Sequence, residues 1–167
     1  VEVQDKMPPI VTCPPNVTVS CKFDLADLSV FGTIVNAKFN QVRNPIVIDD
    51  PYVRFGGPAI DGEYYDNCIA TFDVEEVVNI ECGNGYVDRI FTVTDRGGLT
   101  AVCTQRITVM DFEPFEMDED DWPLNYNSTT DCSTNAETDP DVTGRPFIND
   151  GGCGDIFVGY EDQVFNK

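Results

Sequence analysis

The sequence predicts an all-β protein, a disulfide-stabilised antiparallel sandwich that repeats in tandem. Short bursts of Val, Ile, Thr, Phe and Tyr are separated by Gly, Pro, Asn and Asp, which is the composition of strands joined by turns. Two ordered sets of features recur along the 167 residues, and such recurrence is typical of tandem domains. Seven cysteines without a C-x-x-C pair favour disulfides in an oxidising compartment over a zinc or redox site.

The strands are predicted from short apolar runs that follow one another about every 8 to 12 residues, as in a sandwich. The clearest two form a hairpin, because Ile90, Thr92 and Thr94 alternate with Phe91 and Val93 and the run Asp-Arg-Gly-Gly that follows supplies the turn. A second turn, Cys-Gly-Asn-Gly at 82–85, closes the preceding pair. The predicted strands are 10–13, 17–21, 29–35, 46–48, 69–80, 86–94 and 99–109.

One internal match sets the boundaries of a complete domain. Residues 1–9 parallel residues 107–115, since in both an alternating strand end precedes Asp-x-x-Pro. Residues 1–4 are therefore expected to end the last strand of a preceding repeat, and residues 5–111 to form one whole sandwich.

A second internal match extends the repeat to the rest of the chain. Five features recur in the same order: 50–53 with 139–142, 58–61 with 146–149, Cys68 with Cys153, Phe72 with Phe157, and 75–79 with 161–166. We therefore expect residues 112–167 to form the first part of a second, divergent β-sandwich repeat, in a mature or internal fragment of a longer array.

The charge of the chain limits its partners. The net charge is −20, with no histidine; residues 1–111 hold 16 acidic and 8 basic side chains and residues 112–167 hold 14 and 2. Nucleic acid and anionic membrane surfaces would repel such a chain, whereas divalent cations would be attracted. No apolar run approaches the roughly 20 residues that span a bilayer, so direct membrane insertion is not expected.

Catalysis is not expected either. Without histidine the chain has no Ser-His-Asp or Cys-His arrangement, and it has no glycine-rich phosphate loop. A carboxylate pair could run glycoside hydrolysis, but 30 acidic residues make such a pair unspecific. The sequence predicts a protein that is not an enzyme and requires no cofactor, with Ca²⁺ as a candidate structural ion.

Four segments carry a family resemblance: PPIVTCPPNVTV at 8–19, DNC at 66–68, RIFTVTDRGG at 89–98 and CTQRITV at 103–109. Together they resemble hyalin-repeat (HYR-like) domains, which are immunoglobulin-like sandwiches. The chain looks like the versions strung in tandem in giant surface adhesins and extracellular filaments of gliding Bacteroidota, which the type IX system exports. It departs from the family at 96–98, where Gly-Asn is usual, and in its long insertion at 22–44.

The resemblance implies a structural or adhesive repeat at the cell surface, acting in attachment, gliding or cell–cell contact. The expected partners are neighbouring repeats of the same chain, other copies in a filament, and surface glycans or other cells. The alternative is a carbohydrate-binding module that accompanies a secreted hydrolase. Tyr64, Tyr65 and Trp122 are the candidate sugar-stacking residues of that alternative.

The cysteine pairing is left with two hypotheses. The resemblance implies a bridge between Cys13 and Cys103, which joins the first and last strands. Strand polarity favours Cys21 with Cys82, because about eight residues, or about 27 Å, bring the first strand from Cys13 to the pole where the domain ends. The rival pairs Cys21 with Cys68 and, by repeat equivalence, Cys132 with Cys153.

Two acidic segments after residue 111 are candidate calcium ligands. Asp139, Asp141 and Asp150 stand around Gly144 at the spacing of a Ca²⁺ loop, though without flanking helices; the alternative is an acidic turn. Asp118 and Asp120 belong to a carboxylate cluster next to the domain boundary. Junction calcium or a solvated acidic linker would both account for that cluster.

Asp66 and Asp95 form a third candidate cation site. Each follows a predicted strand, and the predicted strand directions bring them to one pole of the sandwich. They are expected either to bind an ion there or to cap turns, the commoner role of such aspartates.

Overall fold

A computed structural model of the chain describes residues 6–39, 41–113, 115–118, 121–125, 139–148, 152–161 and 163. The chain divides into two compact units, Val1–Phe112 and Glu113–Lys167. This division lies next to the predicted boundary after Asp111.

The first unit is built from two β-sheets. Its described strands are β1 (Ile10–Thr12), β2 (Val17–Ser20), β3 (Ile34–Asn36), β4 (Arg54–Phe55), β5 (Gly62–Tyr65), β6 (Ala70–Glu81), β7 (Asn84–Asp95) and β8 (Thr100–Met110). One sheet has the order β1-β5-β3 and the other the order β4-β2-β8-β7-β6. Ile34 and Tyr64 of the smaller sheet pack on Phe91 and Val93 of the larger one. The predicted all-β class is thereby confirmed for this unit.

The three long strands form two successive antiparallel hairpins. The β6–β7 ladder runs from Ala70 opposite Asp95 to Glu81 opposite Asn84. The β7–β8 ladder follows, and its turn is closed by the Asp95 N–H, which donates to the Leu99 carbonyl over 2.9 Å. Both predicted turns are confirmed, since the first ladder closes at Glu81 opposite Asn84 and the second at Thr94 opposite Thr100.

The second and the last strand of the unit run side by side in the same direction. β2 pairs with β8 in parallel, from Val17 opposite Ile107 to Ser20 opposite Met110. The chain therefore enters this unit at the end of the sandwich that carries the β7–β8 turn and leaves it at the opposite end. These ends are called the entry pole (loop 66–69 and turn 95–98) and the exit pole (turn 82–83 and Met110).

The core consists of two hydrophobic clusters with a polar layer between them. One cluster lies toward the exit pole and contains Val17, Val19, Leu28, Phe31, Val87, Ile107 and Val109. The other lies toward the entry pole and contains Ile34, Tyr64, Ala70, Phe91 and Val93. Buried Arg89 and Gln105 occupy the inward positions between them on β7 and β8.

The insertion between β2 and β6 departs from two predicted strands. The prediction at 29–35 is wrong in its first half, because Asp27 caps a 3-10 helix, Leu28–Phe31, by accepting from the Ser29 N–H over 2.9 Å. Gly32, at φ 97°, ends that helix, and the strand starts only at Ile34. The predicted strand at 46–48 is absent and is replaced by an isolated bridge between Pro45 and Ile60. The structure instead adds β4 and β5.

The second unit contains one short helix, α1 (Pro140–Thr143), and no strand among its described residues. The second sandwich repeat expected over 112–167 thus stays a prediction. Its Asp-Pro turn contains the same kind of hydrogen bond as the turn at 50–53. In each turn the carboxylate of the first residue, Asp139 or Asp50, accepts from the N–H two residues further along, over 2.9 and 2.8 Å respectively. Such bonds are common wherever Asp begins a turn.

Candidate functional site

A disulfide joins the two terminal strands of the first unit. Cys13, just after β1, is bonded to Cys103 on β8, with 5.7 Å between the Cα atoms and 90 residues between them in sequence. Both side chains pack against the hydrophobic cluster of the entry pole. The structure therefore contains the bridge that the family resemblance implies.

The expected bridge between Cys21 and Cys82 is wrong. Cys82 is an exposed free thiol in the β6–β7 turn, whereas Cys21 is disulfide-bonded. Both lie at the exit pole, as the strand polarity predicted, but β8 and β7 stand between them. Two to three strand spacings put them about 10 to 14 Å apart, and a disulfide needs Cα atoms within about 7 Å. The sheet order, which the sequence does not reveal, decided this pairing.

The rival bridge between Cys21 and Cys68 is excluded by the same topology. Cys68 lies in the loop before β6, at the entry pole, and the full length of β8 separates it from Cys21. Eleven residues of strand correspond to about 35 Å. Cys153 is disulfide-bonded, and Cys132 lies outside the described residues.

Asp66 and Asp95 lie together at the entry pole, in the crossover between the two sheets. Asp66 directly follows β5, and four residues later Ala70 begins β6 as the register partner of Asp95. The Arg96 N–H also donates to the Ile69 carbonyl over 3.1 Å, which ties the crossover loop to the β7–β8 turn. The structure thus places at one pole the pair of aspartates that the strand directions predicted there.

Each of these aspartates uses one carboxylate oxygen to cap a turn. Asp66 Oδ2 accepts from the Cys68 N–H over 2.8 Å, and Asp95 Oδ1 accepts from the Leu99 N–H over 2.8 Å. The side chains are only 4% and 5% exposed. The other oxygens, Asp66 Oδ1 and Asp95 Oδ2, are buried without a hydrogen-bond donor among the described residues.

A third buried aspartate of the unit shows what a satisfied carboxylate looks like here. Asp61 is 5% exposed. Its Oδ1 accepts from the Thr33 N–H and its Oδ2 from the Asn44 N–H, both over 3.0 Å. Both oxygens of Asp61 therefore hold the backbone in place. Asp66 and Asp95 each use only one oxygen in this way.

The acidic candidates of the second unit are engaged locally. Asp139 caps α1 through the Asp141 N–H, and Asp141 pairs with Arg145, whose Nε donates to its Oδ1 over 2.9 Å. This hydrogen bond raises the pKa of the exposed Arg145 guanidinium. Asp150 lies outside the described residues. The described side chains match the acidic-turn alternative, and the calcium loop stays a prediction.

The carboxylate cluster near the domain boundary is described in part. The Asp118 N–H donates to Asp121 Oδ2 over 2.9 Å, and the Asp121 N–H donates back to the Asp118 carbonyl over 3.1 Å. Asp120 lies outside the described residues. Junction calcium therefore stays a prediction as well.

The candidate sugar-stacking residues occupy different environments. Tyr64 is buried, packs its ring on Phe72 with centroids 5.8 Å apart, and accepts a hydrogen bond from the Asn36 amide, so it belongs to the core. Tyr65 is exposed. Trp122 is exposed in the second unit and lines a pocket there together with Tyr160.

A buried polar network on β7 and β8 was not predicted from the sequence. Arg89 Nη1 donates to the Gly32 carbonyl and to Gln105 Oε1, each over 2.8 Å. The Gln105 amide in turn donates to the carbonyls of Pro15 and Phe31, over 2.9 and 2.8 Å. Burial lowers the pKa of Arg89, since it removes water from the guanidinium. The signal was a charged residue at an inward position of an alternating strand.

No family model, curated protein or solved structure matches the chain. Among the described residues no helix has both the length and the apolar character needed to cross a bilayer.

Proposed function

We propose that this chain is a structural and adhesive repeat of a large secreted cell-surface protein or extracellular filament, acting in attachment, gliding or cell–cell contact. The observation that carries the proposal is the disulfide that joins Cys13, just after β1, to Cys103 on the last strand β8, which runs parallel to β2. Such a module has its ends at opposite poles, which suits a chain that must extend a binding surface away from a cell.

The parallel pairing of β2 with β8 supports a load-bearing role when the Cys13–Cys103 bridge is reduced. Force on the two ends of the unit then acts along β2 and β8, whose ladder hydrogen bonds are evenly spaced along the strands. These bonds resist together because sliding the strands breaks them all at once. An antiparallel hairpin pulled open from its end would lose its bonds one after another.

The disulfide supports the same role more strongly. Force that enters before Cys13 passes through the bridge to Cys103 and leaves along the last residues of β8. The residues between the two cysteines are thereby bypassed. Almost the whole sandwich would stay folded under load as long as the bridge is intact.

An extracellular location fits the cysteines and the charge. Cys13 and Cys103 form a bridge, and Cys21 and Cys153 are also disulfide-bonded, which is typical of proteins in an oxidising environment. The net charge of −20 keeps such a module soluble and away from anionic surfaces. The hyalin-repeat resemblance adds the immunoglobulin-like topology, the tandem array, the type IX export and the partners: neighbouring repeats, other copies and surface glycans.

Single-molecule pulling tests the mechanical part of this proposal. The whole chain is held at residues 8 and 112 and stretched with and without dithiothreitol, which reduces every bridge. The 90-residue separation of the bridged cysteines corresponds to about 320 Å of extended chain. We expect this gain in length only after reduction. The same gain under oxidising conditions would contradict a load path through the bridge.

Display on cells tests the adhesive part. Non-adherent cells that carry the chain on their surface should attach to glycan-coated glass or to one another more than cells that carry a globular control of equal charge. Equal attachment would argue against adhesion and leave a purely structural repeat.

The second candidate function is a carbohydrate-binding module, and the pocket of the second unit favours it. Two aromatic side chains, Trp122 and Tyr160, line this pocket beside Arg145 and Glu161. Aromatic faces flanked by charged groups are a common platform for sugars. Quenching of Trp122 fluorescence by an oligosaccharide, abolished in Trp122→Ala and unchanged in the control Tyr65→Ala, would promote this function.

A further inference from the structure

The two buried oxygens at the entry pole, Asp66 Oδ1 and Asp95 Oδ2, lack any donor among the described residues. A buried carboxylate oxygen is costly unless a donor or a cation faces it. Asp61, equally buried, has both of its oxygens satisfied, so the fold is able to supply donors to a carboxylate at this depth. Two unsatisfied carboxyl oxygens at one pole therefore favour a specific binding partner there.

The basic side chains of the described residues do not fill this role. The Lys38 ammonium, which binds the loop that follows Asp66, donates to the carbonyls of Asn67 and Cys68. Arg96 contributes its backbone N–H, to the Ile69 carbonyl. The described ion pairs of Arg43, Arg89, Arg106 and Arg145 involve other carboxylates. Lys38 and Arg96 thus hold the loop through its backbone carbonyls, and neither donates a described hydrogen bond to the two carboxylate oxygens.

We propose that Asp66 and Asp95 bind a divalent cation, Ca²⁺, at the entry pole. Carboxylate oxygens are the ligands that Ca²⁺ prefers, and backbone carbonyls or waters commonly complete its shell. Each aspartate keeps its turn-capping bond through the other oxygen, so the loop and the turn are held in place before the ion arrives. The site is assembled from two elements that are distant in sequence but joined at Ile69 and Arg96.

The ion would fasten the crossover between the two sheets to the β7–β8 turn. That crossover lies at the pole where the chain enters the unit, near the Cys13–Cys103 bridge. Bound Ca²⁺ would therefore stiffen the entry pole without touching the exit pole. This inference goes beyond the proposed mechanical role and does not depend on it. Binding of Ca²⁺ to this site can be measured whether or not the chain bears load or mediates adhesion.

Thermal unfolding of the full chain tests the proposal. Extracellular calcium modules have dissociation constants on the order of 10⁻⁴ to 10⁻³ M. At a tenfold excess of Ca²⁺ over the dissociation constant we expect the Tm to rise by about 5 °C or more relative to EDTA. Asp66→Asn and Asp95→Asn should abolish most of this rise, whereas the control Asp73→Asn, which removes an exposed carboxylate from β6, should keep it.

The acidic second unit is a separate place for Ca²⁺, so the difference between the variants decides the outcome. An equal rise in the unsubstituted chain and in the double variant Asp66→Asn/Asp95→Asn would overturn the proposal. No rise in the unsubstituted chain would overturn it too and would leave water as the partner of these oxygens. A rise of the same size with Mg²⁺ in place of Ca²⁺ would overturn the assignment to calcium.

Amide hydrogen exchange of the unsubstituted chain tests the same site without any variant, so it remains informative if a variant fails to fold. In the unsubstituted chain, Ca²⁺ should slow the exchange of the Cys68 and Leu99 amides, which donate to the two aspartates, by tenfold or more. The Thr33 and Asn44 amides, which donate to Asp61, are the matched control and should slow less. Equal slowing at all four amides would count against a site at the entry pole.

Discussion

Arg89 on β7 and Gln105 on β8 are register partners, and the guanidinium donates to the amide oxygen over 2.8 Å inside the sandwich. The pair lies between the two hydrophobic clusters of the core. It satisfies backbone carbonyls of residues that lie outside the strands, at Pro15, Phe31 and Gly32. The sandwich therefore contains a polar layer that fixes how the two ends of its core are joined.

Gln105→Leu should destabilise the first unit strongly. The substitution leaves two carbonyl acceptors and one guanidinium donor unpaired in a buried layer. A loss of about 2 to 4 kcal/mol in the free energy of unfolding is expected, measured by urea denaturation. Thr104→Val, on the exposed face of the same strand, is the control and should change stability by less than about 0.5 kcal/mol. A loss below about 1 kcal/mol for Gln105→Leu would mean that water replaces the amide.

The double variant Arg89→Met/Gln105→Leu should cost less than the sum of the two single variants. Removing only one partner leaves the other buried and unpaired, and Arg89 already has an Nε without a hydrogen-bond partner among the described residues. Replacing both with apolar side chains of similar size removes that penalty. We expect an interaction energy of about 1 to 3 kcal/mol from the four stability measurements. Additive losses would show that the two residues act independently.

The strands that carry this layer could be predicted from the sequence, but the layer itself could not. Alternation marks β7 and β8 because one face of each is buried over 11 or 12 residues. β4 and β5 are short and partly polar, so tertiary packing and not periodicity makes them strands. Arg89 stands at an inward position, which is a signal of a buried partner, yet the carbonyls it serves lie in an insertion whose path depends on the whole fold.

The candidate site was foreseen to a similar extent. The sequence gives the direction of each strand, and that sufficed to bring Asp66 and Asp95 to one pole. Which carboxylate oxygen remains unsatisfied depends on turn hydrogen bonds that only coordinates reveal. The predicted Cys21–Cys82 bridge failed for a different reason. The sequence placed both cysteines at the correct pole, but it did not reveal the order of the strands across the sheet, which separates them.

Replacing Cys13 and Cys103 with alanine should destabilise the first unit by about 2 to 5 kcal/mol. The bridge closes a long loop, with 90 residues between its cysteines, so its removal returns much conformational freedom to the unfolded chain. Guanidinium denaturation under non-reducing conditions measures the change. Cys82→Ser, at an exposed free thiol, is the control and should change stability by less than about 0.5 kcal/mol. A similar loss in both would point to general damage by cysteine replacement.

The Asp88–Arg106 pair should make stability depend on pH in the acidic range. Arg106 donates to both Asp88 oxygens over 2.7 Å and lies over the Tyr86 ring, 3.9 Å from its centroid. The hydrogen bond from the guanidinium holds the pKa of Asp88 below its ordinary value.

A carboxyl whose pKa is lowered by folding stabilises the folded state above its unfolded pKa, about 3.9, and loses that contribution as pH falls toward the folded value. The difference in unfolding free energy between the unsubstituted chain and Arg106→Gln should therefore be largest above pH 5 or so and shrink as the pH is lowered through about 4 to 2. Urea denaturation at a series of pH values measures it, and a difference that stays constant over this range would show that Arg106 acts through its packing on Tyr86 and not through the Asp88 charge.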